Sequence, residues 1–570
     1  MMSPMNSSPQ IHVCLAIWLS LAASLAFAQE TRRYDDFDVV IAGGSTAAFA
    51  AAVGAAEAGA RVALLEPTDW VGGQITSSGV PAIDEAWHKL NDESGTLLMD
   101  VAAVARTPAN ISPLLRDMLR DTGCPGNCWV SRFCFEPRRF LRDHLLPLEQ
   151  SLETLTVFRE TIVKRATTTG GRITELTAIK RTPRTGLPQR GYDHLPSQDL
   201  ADWYSATDSD RFTKELLVFA AGPQTQFIDA TEWGELLVLT DAPYLIGVES
   251  TDGGRQGNQR VGQSITYGFV QELHATADSS RDQGVPDPEV DKLGLGDYGD
   301  RPNGWELVWT YRRLRTTAPN SRQIHNGDLC LQNWGYYVGR DEGGNDYPFG
   351  YLFLDADNAR QQLADWRGGV DLAVMANAEA RAFAWHHWFA DHAPAEYGRD
   401  RISLAKNVLG TGHGLSKLPY IRDTRRSVGL DGFLLRVEDL VPTGPGRLAR
   451  IWEDRIALGA YPVDIHPMAG VTYPDYIHRE YDVAPFTIPF RALTNDSVGN
   501  LLVAGKTMAQ SFLANSATRL HPTEWSTGIA AGVSAAMMAE REMTSRDLLK
   551  SITELQSRVR KATPIDWTMK

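Results

Sequence analysis

The sequence predicts an α/β fold organised on one strand–turn–helix–strand unit near its N-terminus. Three observations carry that prediction. Val39-Val40-Ile41 is a short, wholly apolar, β-branched run, as a parallel strand covered on both faces requires. Thr46 to Ala58 is mostly alanine, a strong helix former small enough to pack tightly on a sheet. Near the other end, Leu501 to Ala504 repeats the short apolar strand, Gly505 follows it, and Thr527 to Glu540 is a second small-residue helix.

Between the first strand and helix, Gly43-Gly44-Ser45 makes a tight turn. Gly59 is positioned as the helix stop. Arg61 to Leu65 supplies a second strand, which Glu66 closes. The free N–H groups and positive dipole end of such a helix suit a pyrophosphate. A carboxylate about 20 residues after the turn accepts hydrogen bonds from a ribose, and Glu66 stands in that place. Set against GxGxxG, the register reads Gly43, Ser45 and Ala48, so two of the three glycines are replaced. Strands, alanine helix and carboxylate together predict a dinucleotide site. Trp70 to Thr76 follows, with Gly72-Gly73 able to lie flat against a cofactor.

The chain has 570 residues and a net charge of −14, which argues against nucleic-acid binding, where a basic patch is usual. Val13 to Ala28 is apolar and ends in Ala26-Phe27-Ala28, a small-x-small cleavage pattern. Residues 1–28 therefore read as a signal peptide and export is expected, although residues 1–12 contain no Lys or Arg. Cys124, Cys128, Cys134 and Cys330 remain. Three pairings are open, and a local bridge within the 124–134 cluster is expected. No CxxC pair completes a zinc site, and no metal site is expected.

Further along, Arg138 to Leu152 is amphipathic. Thr154 to Lys164 and Arg172 to Lys180 alternate as strands around the hairpin turn Thr169-Gly170-Gly171. Glu215 to Ala221 is another strand, leading to Asp229-Ala230 and back to the cofactor. Ala356 to Asp391 is predicted helical, with His386 and His387 partly exposed near its end. Arg447 to Tyr461 is predicted to be an amphipathic helix. Arg422, Arg425 and Arg426 lie among apolar residues and can bind an anion or a substrate oxygen.

Taken together, these segments resemble the FAD-dependent oxidoreductase family. The residues that carry the resemblance are GGSTAAFAAA (43–52), GGQITSSG (72–79), FIDATEWGEL (227–236), GGNDY (343–347), YIRDTRRSVG (420–429), YPVDIHP (461–467), NLLVAGK (500–506) and RLHPTEWSTGIAAG (519–532). The resemblance implies a Rossmann-like FAD-binding domain of the glutathione-reductase type with an inserted α+β substrate domain. The first part would span 36–250, with inserted β-structure at 150–220. A substrate domain at 251–490, a return at 491–545 and a tail at 546–570 would follow. It implies FAD held by Gly43, Gly44, Ser45, Ala48, Glu66, Gly72 and Gly73. Asp229, Ala230, Gly505, Gly528, Ala531 and Gly532 would add contacts.

A flavin takes a hydride at N5 and needs a base for the hydroxyl proton. His521 leads as that base because it lies between two segments expected at the flavin, and His466 is second. Arg519 is expected at the flavin N1–O2 edge and Arg422 on a substrate oxygen, while Glu524 orients His521 or caps its helix. The expected reaction is oxidation of a CH–OH group of a sugar or polyol, passing electrons to an acceptor the sequence does not name. Fifteen tryptophans and seventeen tyrosines are compatible with stacking on sugar faces. A non-catalytic exported flavin-fold scaffold and a polysaccharide-lyase-like activity are the alternatives. The expected partner is a small-molecule or carbohydrate substrate, with no nucleic acid and no membrane span after signal cleavage.

Overall fold

The computed structural model describes residues 30–84, 90–91, 97–99, 111–249, 257–318, 321, 323–335, 343–442, 449–469, 483–565 and 567. The expected signal peptide lies outside them. In chain order the elements that position the site are β1 (Thr31–Tyr34), β2 (Val39–Ala42), α1 (Thr46–Glu57), β3 (Val62–Glu66), β4 (Leu155–Arg159), β5 (Thr161–Thr169), β6 (Arg172–Pro183), β7 (Phe212–Ala220), β8 (Gln226–Asp229), β9 (Phe269–Leu273), β10 (Arg313–Arg315), β11 (Leu329–Gln332), α2 (Leu372–Asp391), β12 (Ile402–Leu404), β13 (Leu501–Val503) and α3 (His521–Arg541).

A five-stranded parallel sheet has the order β13-β8-β2-β3-β4. Its three central strands are buried, and apolar but for Gln226, Asp229 and Glu66 at strand ends, because both faces are covered. Val39, Ile41, Val62 and Leu64 face the helix layer of α1 and α3. Their neighbours Val40, Ala42, Ala63 and Leu65 face a second sheet, order β1-β7-β6-β5, through Leu176, Leu217 and Phe219. The first and last parts of the chain thus meet in one layer, with Phe227 paired to Leu501 and to Val40.

A separate core carries the aromatic middle of the chain. The antiparallel sheet β10-β11-β9-β12 packs against α2. Trp385 donates to Gln332 at 2.9 Å, and Trp305 stacks on Phe389 with centroids 4.8 Å apart.

Several expectations change. The helix expected over 447–461 is not found in its described residues, 449–461. Arg455–Gly459 is a strand paired antiparallel with Phe486–Pro489, a partner some 30 residues away whose pairing overrides local propensity. The helix expected over 356–391 is two, Ala356–Gln361 and Leu372–Asp391. Gly368 and Gly369, both at positive φ, break it, and Asp371 caps the second helix by accepting from Ala373 N and Val374 N. His386 and His387 are buried rather than exposed, held by Asp282 at 2.9 Å and by the Pro286 carbonyl at 3.0 Å. Within the tail expected at 546–570, a helix, Ile552–Ala562, buries Leu555 and Val559 in the main core. Of the cluster expected to hold a local bridge, Cys124 Sγ and Cys128 Sγ stand 3.7 Å apart, in contact without an S–S bond.

Candidate cofactor crevice and adjoining polar cleft

The turn expected to bind a pyrophosphate is built by close approach. Gly43 N donates to Leu65 O at 2.9 Å, and a Cβ on Gly43 would stand 2.7 Å from that same oxygen. Ser45, in the place of a glycine, is the N-cap of α1. Its Oγ accepts from Ala48 N at 3.0 Å and donates to Ala230 O at 2.6 Å. The departure from the glycine fingerprint therefore supplies a cap and ties the turn to the end of β8. Gly73, at φ +56°, lies directly on the turn, where a Cβ would come within 2.5 Å of Ser45 Cα. Thr46 Oγ1 donates to Gly72 O at 2.8 Å.

Glu66 is buried and accepts from Thr68 N and Oγ1 at 3.1 and 3.0 Å. Burial pushes its carboxyl up to about 8. A cleft of about 330 Å³ opens beside Gly43 and Gly44, walled by Pro67, Trp203, Tyr204 and Trp233. Aromatic rings thus stand beside the glycine turn.

The far end of the crevice is made by the C-terminal return. Gly505 sits at φ +68° with Ala47 where its Cβ would be. Lys506 Nζ, fully buried, pairs with Glu232 at 2.6 Å and Glu524 at 3.0 Å. Glu524 therefore neither orients His521 nor caps its helix. Gln74 Nε2 donates to Arg519 O at 3.3 Å and His521 Nε2 faces Val80 O at 3.0 Å, stitching the 72–80 segment to the start of α3. On these same side chains, Gln74 Oε1 and His521 Nδ1, with Ser78 Oγ nearby, are buried and without a hydrogen-bond partner. Unsatisfied buried polar atoms along a glycine-lined crevice fit a polar cofactor such as FAD.

Some expected contacts have other work. Both carboxylate oxygens of Asp229 are taken by the chain: Oδ1 by Thr231 N and Oγ1, Oδ2 by Leu236 N and Leu237 N. Asp229 caps the short helix Glu235–Leu239, and it is the carbonyls of Asp229 and Ala230 that meet Thr507 and Ser45. Gly528 and Gly532 face α1, where Cβ atoms would lie 2.3 Å from Ala47 O and 2.1 Å from Ala51 O. They are helix-packing residues. The helix carrying them begins at His521, six residues before the expected Thr527.

A second, polar cleft lies at Arg519, whose carbonyl oxygen accepts from Gln74 Nε2. Asp84, Tyr311, Arg312, Asn333, Tyr420, Arg422, Tyr461, Asp464, His466 and Arg519 line it. Three ion pairs organise it: Arg312–Asp84 at 3.0 Å, Arg519–Asp464 at 3.2 Å and Arg422–Asp346 at 3.0 Å. Arg519 Nη1 also donates to Tyr420 Oη at 2.7 Å. His466 Nδ1 lies 2.6 Å from Asp346 Oδ2, and its Nε2 lies 3.5 Å from Asp464 Oδ2. Burial alone would raise the Asp346 carboxyl, but Arg422 and His466 hold it down at about 2. Asp464 is likewise lowered despite its burial, by His466 and Arg519.

Of the four side chains expected at the chemistry, Arg422, His466 and Arg519 thus share one cleft. His521 does not line it, and burial pushes its imidazole down to about 4. Sequence reasoning missed Asp346, Asp84, Arg312 and Lys506. Asp346 lies inside the GGNDY segment at 343–347, but nothing in one dimension ties it to His466.

The family model described as FAD dependent oxidoreductase matches residues 38–186 and 220–559. The chain belongs to the FAD dependent oxidoreductase family. It is an enzyme of that class, and FAD is its cofactor. No curated protein matches the sequence. Among solved structures, quinol fumarate reductase FrdA of E. coli is 10% identical, with 92% of this chain and 74% of that chain covered and a TM-score of 0.30. The myxobacterial chondrochloren halogenase CndH is 11% identical, with 93% and 79% covered and a TM-score of 0.31. L-proline dehydrogenase from P. horikoshii is 16% identical with a TM-score of 0.17. That match covers 36% of this chain, which spans 24% of the dehydrogenase's length. Among the described residues no group of His, Cys, Asp and Glu could hold a metal ion. Among the same residues, no helix is long and apolar enough to cross a membrane.

Proposed function

We propose that this family member is an exported enzyme that oxidises a CH–OH group of a sugar or polyol, with His466 as the base. The glutathione-reductase type of FAD domain with an inserted substrate domain is part of this proposal. So is the assignment of Gly43, Gly44, Ser45, Ala48, Glu66, Gly72, Gly73, Ala230 and Gly505 to the cofactor. Export rests on the apolar run and small-x-small site of residues 13–28.

The observation that carries the reading is the placement of His466 between two carboxylates in a cleft lined by Arg519, whose carbonyl holds Gln74. Asp346 on Nδ1 orients the imidazole ring, the group to which this reading gives the hydroxyl proton. Asp464, 3.5 Å from Nε2, stabilises the imidazolium that results. Bound FAD supplies the hydride acceptor. Arg519 joins the two halves, its carbonyl on Gln74 in the crevice and its guanidinium in the cleft.

The charge balance supports an uncharged, hydroxyl-rich substrate. Each of the three guanidiniums already has its own carboxylate, so none is left to neutralise an anion. Paired Arg and Asp groups still offer donors and acceptors to hydroxyls, and Tyr311, Tyr420 and Tyr461 offer ring faces. The deciding experiment is anaerobic mixing of the yellow holoprotein with a panel of sugars, polyols and simple alcohols. Bleaching by a polyol, slowed about 10²–10⁴-fold by His466→Ala, is the expected result. Bleaching that persists undiminished in His466→Ala would overturn the role of the histidine. An unsaturated product formed without flavin reduction would point to lyase chemistry instead.

A further inference from the structure

We infer that Cys124 and Cys128 form a disulfide in the folded protein, while Cys134 and Cys330 remain thiols. Cys124, Cys128 and Cys134 lie in one cluster packed against β10 and β11, while Cys330 belongs to the aromatic core. Cys124 Sγ and Cys128 Sγ are in non-bonded contact at 3.7 Å. The turn joining them is already fixed. Asn127 N donates to Cys124 O at 3.0 Å, and a Cβ on Gly126 would meet Arg313 O at 1.7 Å. The buried Arg313 guanidinium holds Gly126 O at 2.6 Å, Ser321 O at 2.6 Å and Asp328 Oδ2 at 2.8 Å. Beyond the turn, Trp129 Nε1 donates to Leu307 O at 2.9 Å. With its backbone anchored on both sides, the pair can close mainly by rotation of the side chains.

Accessibility selects the pair. Cys124 is the one partly exposed member, while Cys134 and Cys330 are wholly buried. A disulfide oxidant reaches Cys124 first, and the sulfur that Cys124 touches is Cys128. In the first step Cys124 displaces one sulfur of the oxidant to give a mixed disulfide. Cys128 then displaces the other, so that the protein pair is oxidised and the oxidant leaves as two thiols carrying the two hydrogens. The hydrogen bond from Cys124 to Cys128, together with burial, holds the Cys124 thiol well above its ordinary range, and burial does the same for Cys128. The bridge has a structural role. It stiffens the wall of the polar cleft: Val130 lines the cleft, and Ser131 Oγ donates to Ile83 O beside Asp84.

The test is peptide mass mapping of the full-length protein after equilibration with oxidised glutathione, with alkylation under denaturing conditions. The expected result is a peptide linking Cys124 to Cys128, two hydrogens lighter than the dithiol, with Cys134 and Cys330 alkylated. Reductant should lower the thermal midpoint of the wild type and leave that of Cys124→Ser unmoved. Alkylation of Cys124 and Cys128 after oxidation, or a bridge through Cys134 or Cys330, would overturn the inference. So would a wild-type midpoint indifferent to reductant.

Discussion

Gly532→Ala separates a packing role from a cofactor role at the helix pair that closes the crevice. A methyl on Gly532 would lie 2.1 Å from Ala51 O and 2.7 Å from Ala55 N. Carbon and carbonyl oxygen rest no closer than about 3.3 Å, so α1 and α3 must part by about 1 Å. Both obstacles are backbone atoms and cannot rotate aside. Two effects oppose each other. Alanine improves intrinsic helix propensity by about 1 kcal/mol. Overpacking costs ~1–3 kcal/mol, and more where nothing can yield. The clash should win, with a net loss of about 2 kcal/mol by those magnitudes. The assay is the thermal midpoint of the FAD-free protein together with hydrogen exchange of the α1 amides. A lower midpoint and faster α1 exchange, both present without FAD, are expected. An FAD-free midpoint equal to wild type, with weakened FAD binding, would refute the reasoning and return Gly532 to the cofactor.

Other outcomes follow from the same geometry. Ser45→Ala removes the cap on Ala48 N and the bond to Ala230 O, and should lower stability by about 1 kcal/mol; an unchanged melting curve would show that neither bond matters. Glu66 has its folded value raised from 4.5 to about 8. The folded state therefore holds more protons than the unfolded one between those values, and its contribution to stability falls as pH rises through that window. Glu66→Gln should flatten that decline in FAD-free melts, and an equal slope would count against the buried carboxyl. Asp346 has the opposite sign: lowered from 3.8 to about 2, it contributes fully above about 3.8 and loses that contribution as pH falls through about 2. Asp346→Asn should be less stable than wild type at neutral pH, with the gap closing in acid; a constant gap would mean the ion pair is not its source.

The dinucleotide unit was legible in one dimension, because that signal is local. Strand, glycine turn, alanine helix and Glu66 lie within 29 residues, 38–66, and each follows from propensity and period. The return strand Leu501–Val503 was legible as well, since a short apolar run before Gly505 has few other uses. Tertiary structure alone decided which side chains do what once the units meet. Asp229 looked like a cofactor ligand until four donors from its own chain filled its oxygens. His521 has one ring nitrogen on Val80 O and lies outside the cleft that holds His466. His466 and Asp346 are 120 residues apart, and no spacing rule reaches that far. Propensity acts over a turn or a strand, whereas a polar site is assembled from the ends of distant elements, and its charges take their meaning from whichever neighbour the fold brings within hydrogen-bond reach.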